Sequence, residues 1–282
     1  MELAEIKKIH TEIREENEED KIIQLKDLED LKLSKAFSTG FTDLDDKLMG
    51  GIRGGDLMIL SGLSGRGKST LSLQMMKNFS NNRKPVLLFS YEEQPTRMKW
   101  RVKEMGIDDN VLCFLPKKIK ANTVQWIEQK ILDGLANYAI EIIIIDNLDF
   151  LTAEKQLRDD DKWALQGRII AMLKRIAIER DVAIILNAHI GKDKEENEPR
   201  MQDLYGSGDI YKLADFVLFI HRLREEPEGR ARRADMPLSN RSKIILDKNR
   251  LTGLTGGFEV EFINNQFIET KNGLELPIKN EK

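Results

Sequence analysis

The stretch ILSGLSGRGKSTLSLQ, residues 59–74, decides the fold. An apolar run ends at Ser61, a glycine-rich turn follows, and Lys68 precedes the hydroxyls of Ser69 and Thr70 at the head of a helix-like pattern. The spacing from Gly62 to Gly67-Lys68-Ser69 is GxxxxGK[ST]. A strand feeds such a turn and a helix leaves it, so backbone N–H groups and the positive end of the helix converge on an anion. The pattern predicts a cradle for nucleotide phosphates made by Gly62, Ser64, Gly65, Gly67, Lys68, Ser69 and Thr70. Lys68 is expected to reach the β- and γ-phosphates of ATP or another NTP, and Ser69 to ligate Mg²⁺.

On both sides of that turn, apolar runs recur: LMIL (57–60), VLLFS (86–90), IIIID (142–146), VAIILNA (182–188), FVLFI (216–220) and KIIL (243–246). They are continuous rather than alternating, as strands buried on both faces of a mostly parallel sheet should be. Helical patterns over 68–80, 95–105, 123–138 and 161–180 lie between the earlier runs. In the last of them Ile169, Met172, Leu173 and Ile176 form an apolar stripe that reads as core. This alternation predicts an α/β domain, a mostly parallel central sheet flanked by helices on both faces. In GGFEVEFINNQFIE, Asn264-Asn265 predicts the turn of a C-terminal β-hairpin.

Three further strand ends carry candidate chemistry. Asp146 closes EIIIID and is expected to hold the Mg²⁺ shell beside the phosphate loop. Glu92, with Glu93 as the alternative, follows VLLFSY and could orient and polarise an attacking water. His189 leaves the strand IILNA at the same sheet end, where it could sense the γ-phosphate.

Composition narrows the class. The 282 residues are 40% hydrophobic and 33% charged, with net charge −3. Residues 1–33 hold 11 acidic and 6 basic residues, which leaves +2 for the remainder. That balance neither points to nucleic acid nor excludes it, because a grooved or ring-shaped binder needs only local positive charge. No run approaches the roughly 18 to 20 apolar residues of a membrane span. The opening MELAEIKKIHTEIREENEED lacks the apolar segment of a secretory signal, so a cytoplasmic protein of a phage or bacterial host is expected. The single cysteine, Cys113, excludes an internal disulfide and a cysteine-based metal cluster.

Five ordered stretches resemble one family: FSTGFTDLDDKLMGGIRGGDLMILSG, the phosphate loop with FSYEEQP after it, DLYGSGDIYKLADFVLFIHR and KNRLTGLTGGFEVEF. Over roughly residues 36–270 they look like the RecA-type motor domain of DnaB-like replicative helicases, which implies that the α/β domain is a RecA-like P-loop NTPase. NAHI and DLYGSG look closer to the Twinkle and phage primase–helicase branch. The resemblance implies an ATP-dependent 5′–3′ DNA helicase, a homo-oligomer and usually a hexameric ring around single-stranded DNA. A primase or helicase loader is the implied protein partner, and no membrane is expected. It also implies nucleotide sites between subunits, with Glu92, Lys68, Ser69 and Asp146 on one side. Lys248 and Arg250 of DKNR would come from the neighbour, and Arg222 and Phe262 would flank the base.

The family's DNA contacts come from channel loops, here residues 191–209. Lys192, Lys194 and Arg200 would supply charge, and Gly206 and Gly208 would let backbone amides approach phosphates. Tyr205 stands where many relatives carry Arg, and could stack on a base. Residues 222–243 are rich in arginine, and within them EEPEGRARRADMPLSN (225–240) reads as an exposed insertion between strands.

The expected domains are an acidic leader with an amphipathic linker helix (1–35) and the RecA-like ATPase motor domain (36–282). Ile22, Leu25, Leu28 and Leu31 form the linker stripe, packing either on its own domain or on a neighbouring subunit. A leader this short leaves no room for a primase or helical-collar domain, so a motor-only helicase or part of a longer one is expected. Two rivals remain: a RadA-type recombination or repair ATPase, and a regulatory ATPase of the circadian-clock type.

Overall fold

The computed structural model describes residues 24–25, 35–108, 110–152, 159–190, 198–204, 207–225 and 236–270. Contacts divide the chain into two units, Met1–Lys35 and Ala36–Lys282. Ile22, Leu28 and Leu31 of the linker stripe lie outside the described residues.

The second unit opens with a short helix, α1 (Thr42–Lys47). Strand β1 (Leu57–Gly62) then leads through the glycine-rich turn into helix α2 (Lys68–Asn81). Next come β2 (Val86–Ser90), α3 (Pro95–Glu104), β3 (Cys113–Phe114), α4 (Val124–Tyr138) and β4 (Ile142–Asp146). They are followed by α5 (Leu148–Thr152), α6 (Asp159–Glu179), β5 (Ala183–His189), a 3₁₀ turn (Met201–Asp203) and α7 (Ser207–Leu213). The chain finishes with β6 (Phe216–Arg224), β7 (Leu238–Asn249), β8 (Gly256–Ile263) and β9 (Gln266–Glu269).

Among the described residues these strands form one nine-stranded sheet, ordered β3-β2-β4-β5-β1-β6-β7-β8-β9. The pairings from β3 to β6 are parallel, and those from β6 to β9 antiparallel. The α/β class and the mostly parallel sheet match the expectation. So does the terminal hairpin: Asn264 and Asn265 both take positive φ, 50° and 62°, as a two-residue turn between twisted strands requires.

The continuous apolar runs serve two cores at once. Ile142 and Ile144 of β4 face one side of the sheet with Met58 and Leu60 of β1 and the inner face of α2. Ile143 and Ile145 face the other with Leu57, Ile59, α4 and α6, including the stripe residues Ile169, Leu173 and Ile176. Burying each such aliphatic side chain contributes about 1.5–3 kcal/mol, so β1 and β4 anchor the parallel half.

The run KIIL departs from the expectation of burial on both faces. In antiparallel β7 Ile244 and Leu246 are buried while Ile245 is only partly covered. The expected insertion 225–240 begins where β6 ends at Arg224, but its last three residues, 238–240, already belong to β7. Residues 226–235 lie outside the described residues.

Candidate active site

Parallel strands point their C-terminal ends the same way, so strand register decides which residues meet. Gly62 of β1 pairs with His189 of β5, and Ser90 of β2 with Asp146 of β4. One sheet end therefore collects the phosphate loop, Glu92, Asp146 and His189. The loop's geometry depends on glycine at two positions. A Cβ on Gly62 would come within 2.6 Å of the Ile220 carbonyl oxygen. Gly67, at φ +104°, caps α2, and a Cβ there would lie 2.8 Å from the Phe267 ring.

Lys68, at the first position of α2, is buried. Its Nζ donates to the carbonyls of Gly62 (2.8 Å) and Leu63 (3.0 Å) and lies 2.9 Å from His189 Nδ1. Burial lowers its pKa to about 8, against the opposing pull of Asp146, Glu92 and Asp149. The ammonium is thus held by weak neutral acceptors, and a phosphate would be a far better partner.

The two candidate carboxylates after β2 are in different situations. Glu93 forms an ion pair with Arg101 of α3 at 2.9 Å, and Arg101 also donates to Thr70 Oγ1 at 2.8 Å. Glu92 instead accepts from Asn147 Nδ2 and lies 3.6 Å from His189 Nε2. Of the two, only Glu92 sits within the Lys68–His189 cluster.

Asp146 is buried at the end of β4, and Ser69 is half-buried in the first turn of α2. Among the described residues no group of three or more metal-ligating side chains assembles. One carboxylate and one hydroxyl suit Mg²⁺, which takes its other ligands from water and substrate phosphates rather than from an all-protein cage.

Beside the loop lies a cavity of about 140 Å³ lined by Gly65, Arg66, Gly67, Thr70, Arg222, Ser242, Phe262 and Phe267. The antiparallel half of the sheet thereby brings Arg222 and Phe262 to the phosphate loop. Arg222 Nε donates to the Ser239 carbonyl at 2.7 Å. Ser64 and Gly65 are exposed at the tip of the loop.

Lys248 and Arg250 are not brought to this site. They stand at the opposite end of the sheet, where Lys248 pairs with Val217 and the Arg250 amide donates to the Asp215 carbonyl at 2.9 Å. The length of β1 alone separates them from the loop, roughly 17–20 Å at strand rise. Arg250 Nη1 contacts Asp215 Oδ1 at 3.0 Å, and its Nη2 donates to the Lys212 carbonyl. Lys248 donates to the Tyr211 carbonyl and stands 4.9 Å over the Tyr211 ring. Burial lowers its pKa first, with Arg250 adding to the effect.

Of the expected DNA-facing residues, Arg200 is exposed just before the 3₁₀ turn, which the Ile190–Leu204 bridge ties to the sheet. Gly208 is exposed in the first turn of α7 rather than in a loop, and a Cβ there would meet nothing within 4 Å. Lys192, Lys194, Tyr205 and Gly206 lie outside the described residues.

Sequence reasoning missed Asn147, Arg101 and Phe267. Asn147 carried a local signal, a polar residue directly after the strand-ending Asp146. Arg101 and Phe267 carried none, since they reach the site only through tertiary packing.

A strand–glycine loop–helix cradle with a buried lysine, and carboxylates at neighbouring strand ends, defines a RecA-like P-loop NTPase domain. The sequence family described as an AAA domain matches residues 24–195, well over half of the chain, and the chain belongs to it. A replicative DNA helicase DnaB from Mycoplasma pneumoniae is 26% identical over 262 residues, covering 81% of this chain and 55% of its own. A DNA repair protein RadA from Aquifex aeolicus is 33% identical over 164 residues, covering 58% of this chain and 35% of its own. A solved DnaB-like replicative helicase, described with its interactions with primase, superimposes with TM-score 0.71 at 22% identity, over 84% of this chain and 62% of its own. The ATPase domain of G40P gives 0.69 at 20% identity, over 94% of this chain and 99% of its own. The chain spans about half the length of the DnaB relatives it matches. In sequence and fold it resembles the RecA-type domain of DnaB-like helicases, as its motifs implied. Among the described residues no helix is long and apolar enough to cross a membrane.

Proposed function

We propose that this domain is an ATP-dependent 5′–3′ DNA helicase motor that hydrolyses NTP between subunits of a homo-oligomer, a hexameric ring, while moving on single-stranded DNA. The observation that carries the reading is the separation of two half-sites. Lys68, Glu92 and His189 cluster at one sheet end, whereas half-exposed Arg250 stands with Lys248 at the other. A cation so far from its own phosphate loop does not complete that site, and its exposed position suits it to another copy's. Hydrolysis then requires closure of the interface, which couples chemistry to subunit motion.

In this reading the phosphate loop and Lys68 bind the NTP, and Arg222 and Phe262 flank its base. Glu92 orients the attacking water, and His189 responds to the terminal phosphate. Ser69 and Asp146 would hold Mg²⁺, which supplies charge neutralisation on the phosphates. Lys192, Lys194, Arg200, Tyr205, Gly206 and Gly208 are the proposed DNA contacts, with a primase or loader as a partner protein.

The RadA similarity favours one second reading, a recombination or repair ATPase that unwinds only indirectly. One experiment addresses both: hydrolysis with and without single-stranded DNA across protein concentration, with mass measured alongside, then unwinding of forks carrying a 5′ or a 3′ tail. DNA-stimulated, concentration-dependent turnover with unwinding from the 5′ tail supports the helicase. Stimulated turnover with strand exchange but no unwinding favours the repair ATPase. Monomeric, DNA-independent turnover removes both.

A further inference from the structure

Asn147 lies between Glu92 and His189 at this sheet end, and the hydrolysis reading gives it no role. It is 1% exposed, and its Oδ1 accepts from the Asp149 amide at 2.9 Å, which fixes the orientation of the side-chain amide. Nδ2 therefore faces Glu92 Oε1 and His189 Nε2, the latter at 3.0 Å. The other ring nitrogen, Nδ1, lies 2.9 Å from Lys68 Nζ. A neutral imidazole has one N–H and one acceptor nitrogen. A neutral ring that accepts from Lys68 at Nδ1 would carry its hydrogen on Nε2, where it would meet the Asn147 amide donor to donor. Once Lys68 turns to a phosphate, Nδ1 can carry the hydrogen and Nε2 can accept from Asn147.

We propose that Asn147 is a positioning residue that holds the Glu92 carboxylate beside His189 and ties its placement to whether Lys68 is engaged by phosphate. The proposal rests on the reading of this sheet end as a hydrolysis site. Asn147 touches no reacting atom; it acts through Glu92.

The test compares Asn147→Ala and Asn147→Ser, each alone and combined with Glu92→Gln. Hydrolysis is measured with single-stranded DNA present, and affinity with a fluorescent non-hydrolysable ATP analogue. Asn147→Ala should lower kcat about 10- to 100-fold, the scale of a misplaced reacting group, with analogue affinity essentially unchanged. Asn147→Ser, still polar, should retain part of the activity and supplies the answer if the alanine variant does not fold. In the Glu92→Gln background the Asn147 substitution should have no further effect. The chain has three histidines, so imidazole nitrogen NMR can follow His189 directly. Adding the analogue should move its hydrogen from Nε2 to Nδ1 in the wild type but not in Lys68→Ala.

An unchanged kcat, a parallel fall of kcat and affinity, additivity with Glu92→Gln, or an unmoved imidazole hydrogen would overturn the proposal. Lys68→Ala separates the two levels. Normal turnover in that variant removes the hydrolysis site itself; a dead Lys68→Ala beside wild-type-like Asn147 variants removes only the role of Asn147.

Discussion

The two ends of the sheet handle charge in opposite ways. At the phosphate-loop end, Lys68 rests on backbone carbonyls and an imidazole, and among the described residues no carboxylate makes an ion pair with it. At the far end, buried Asp215 accepts from the Leu57 amide at 2.8 Å, from Lys174 at 2.5 Å and from Arg250 at 3.0 Å. The first end keeps its cation on neutral partners that a substrate can displace. The second is held together by ion pairs, yet leaves the Arg250 side chain 48% exposed. One end is built to exchange partners, the other to present a fixed cation outward.

The sharpest way to break this contrast is Lys68→Ala, which should abolish turnover; wild-type-like hydrolysis would remove the site. Arg250→Ala should leave nucleotide binding nearly intact while lowering kcat roughly 10³-fold, the scale of an arginine finger. Mixing it with Lys68→Ala, whose Arg250 is intact, should restore turnover. Mixed samples as inactive as either parent would sink the shared site.

A smaller effect follows from the pKa of Lys68. In the free protein the ammonium is present below about pH 8 and lost above it. A bound phosphate favours the charged form, so nucleotide affinity should fall as pH rises through 8, by at most about tenfold per pH unit. Calorimetry at pH 9 in buffers of different ionisation enthalpy should detect proton uptake on binding; no uptake would contradict the environment assigned to Lys68.

The smallest effect belongs to the far end. Burial raises the Asp56 pKa from 3.8 to about 6, and the neighbouring Asp215 adds to the rise. Between those values the folded state binds more protons than the unfolded chain. Stability is therefore lost as pH rises through that window, and the whole penalty is present above pH 6. Asn at this position keeps an acceptor for the Arg53 amide, now 2.7 Å from Asp56 Oδ2. Asp56→Asn should thus gain about 1 kcal/mol at pH 7 and almost nothing at pH 4, read from urea unfolding.

The same contrast separates what the sequence made legible from what it did not. Gly62, Glu92, Asp146 and His189 were readable because each follows an apolar run, and parallel strands bring such ends together. The positions of Lys248 and Arg250 were not, because they depend on β7 running antiparallel, which periodicity does not report. Strand β3 has two residues and no pattern to find. Asn147 carried only its place after Asp146 as a signal, and its role depends on the packing that sets its amide between Glu92 and His189. Arg101, which secures both Glu93 and Thr70, is an ordinary arginine on a charged helix until α3 is packed.

The terminal hairpin gives the phosphate loop a history as well as a shape. The side-chain amide of Gln74 in α2 bonds to both the N–H and the C=O of Phe267, 193 residues further along, and the Phe267 ring closes against Gly67. A chain emerging from the ribosome therefore presents its nucleotide loop early but braces it only after β9 has been made.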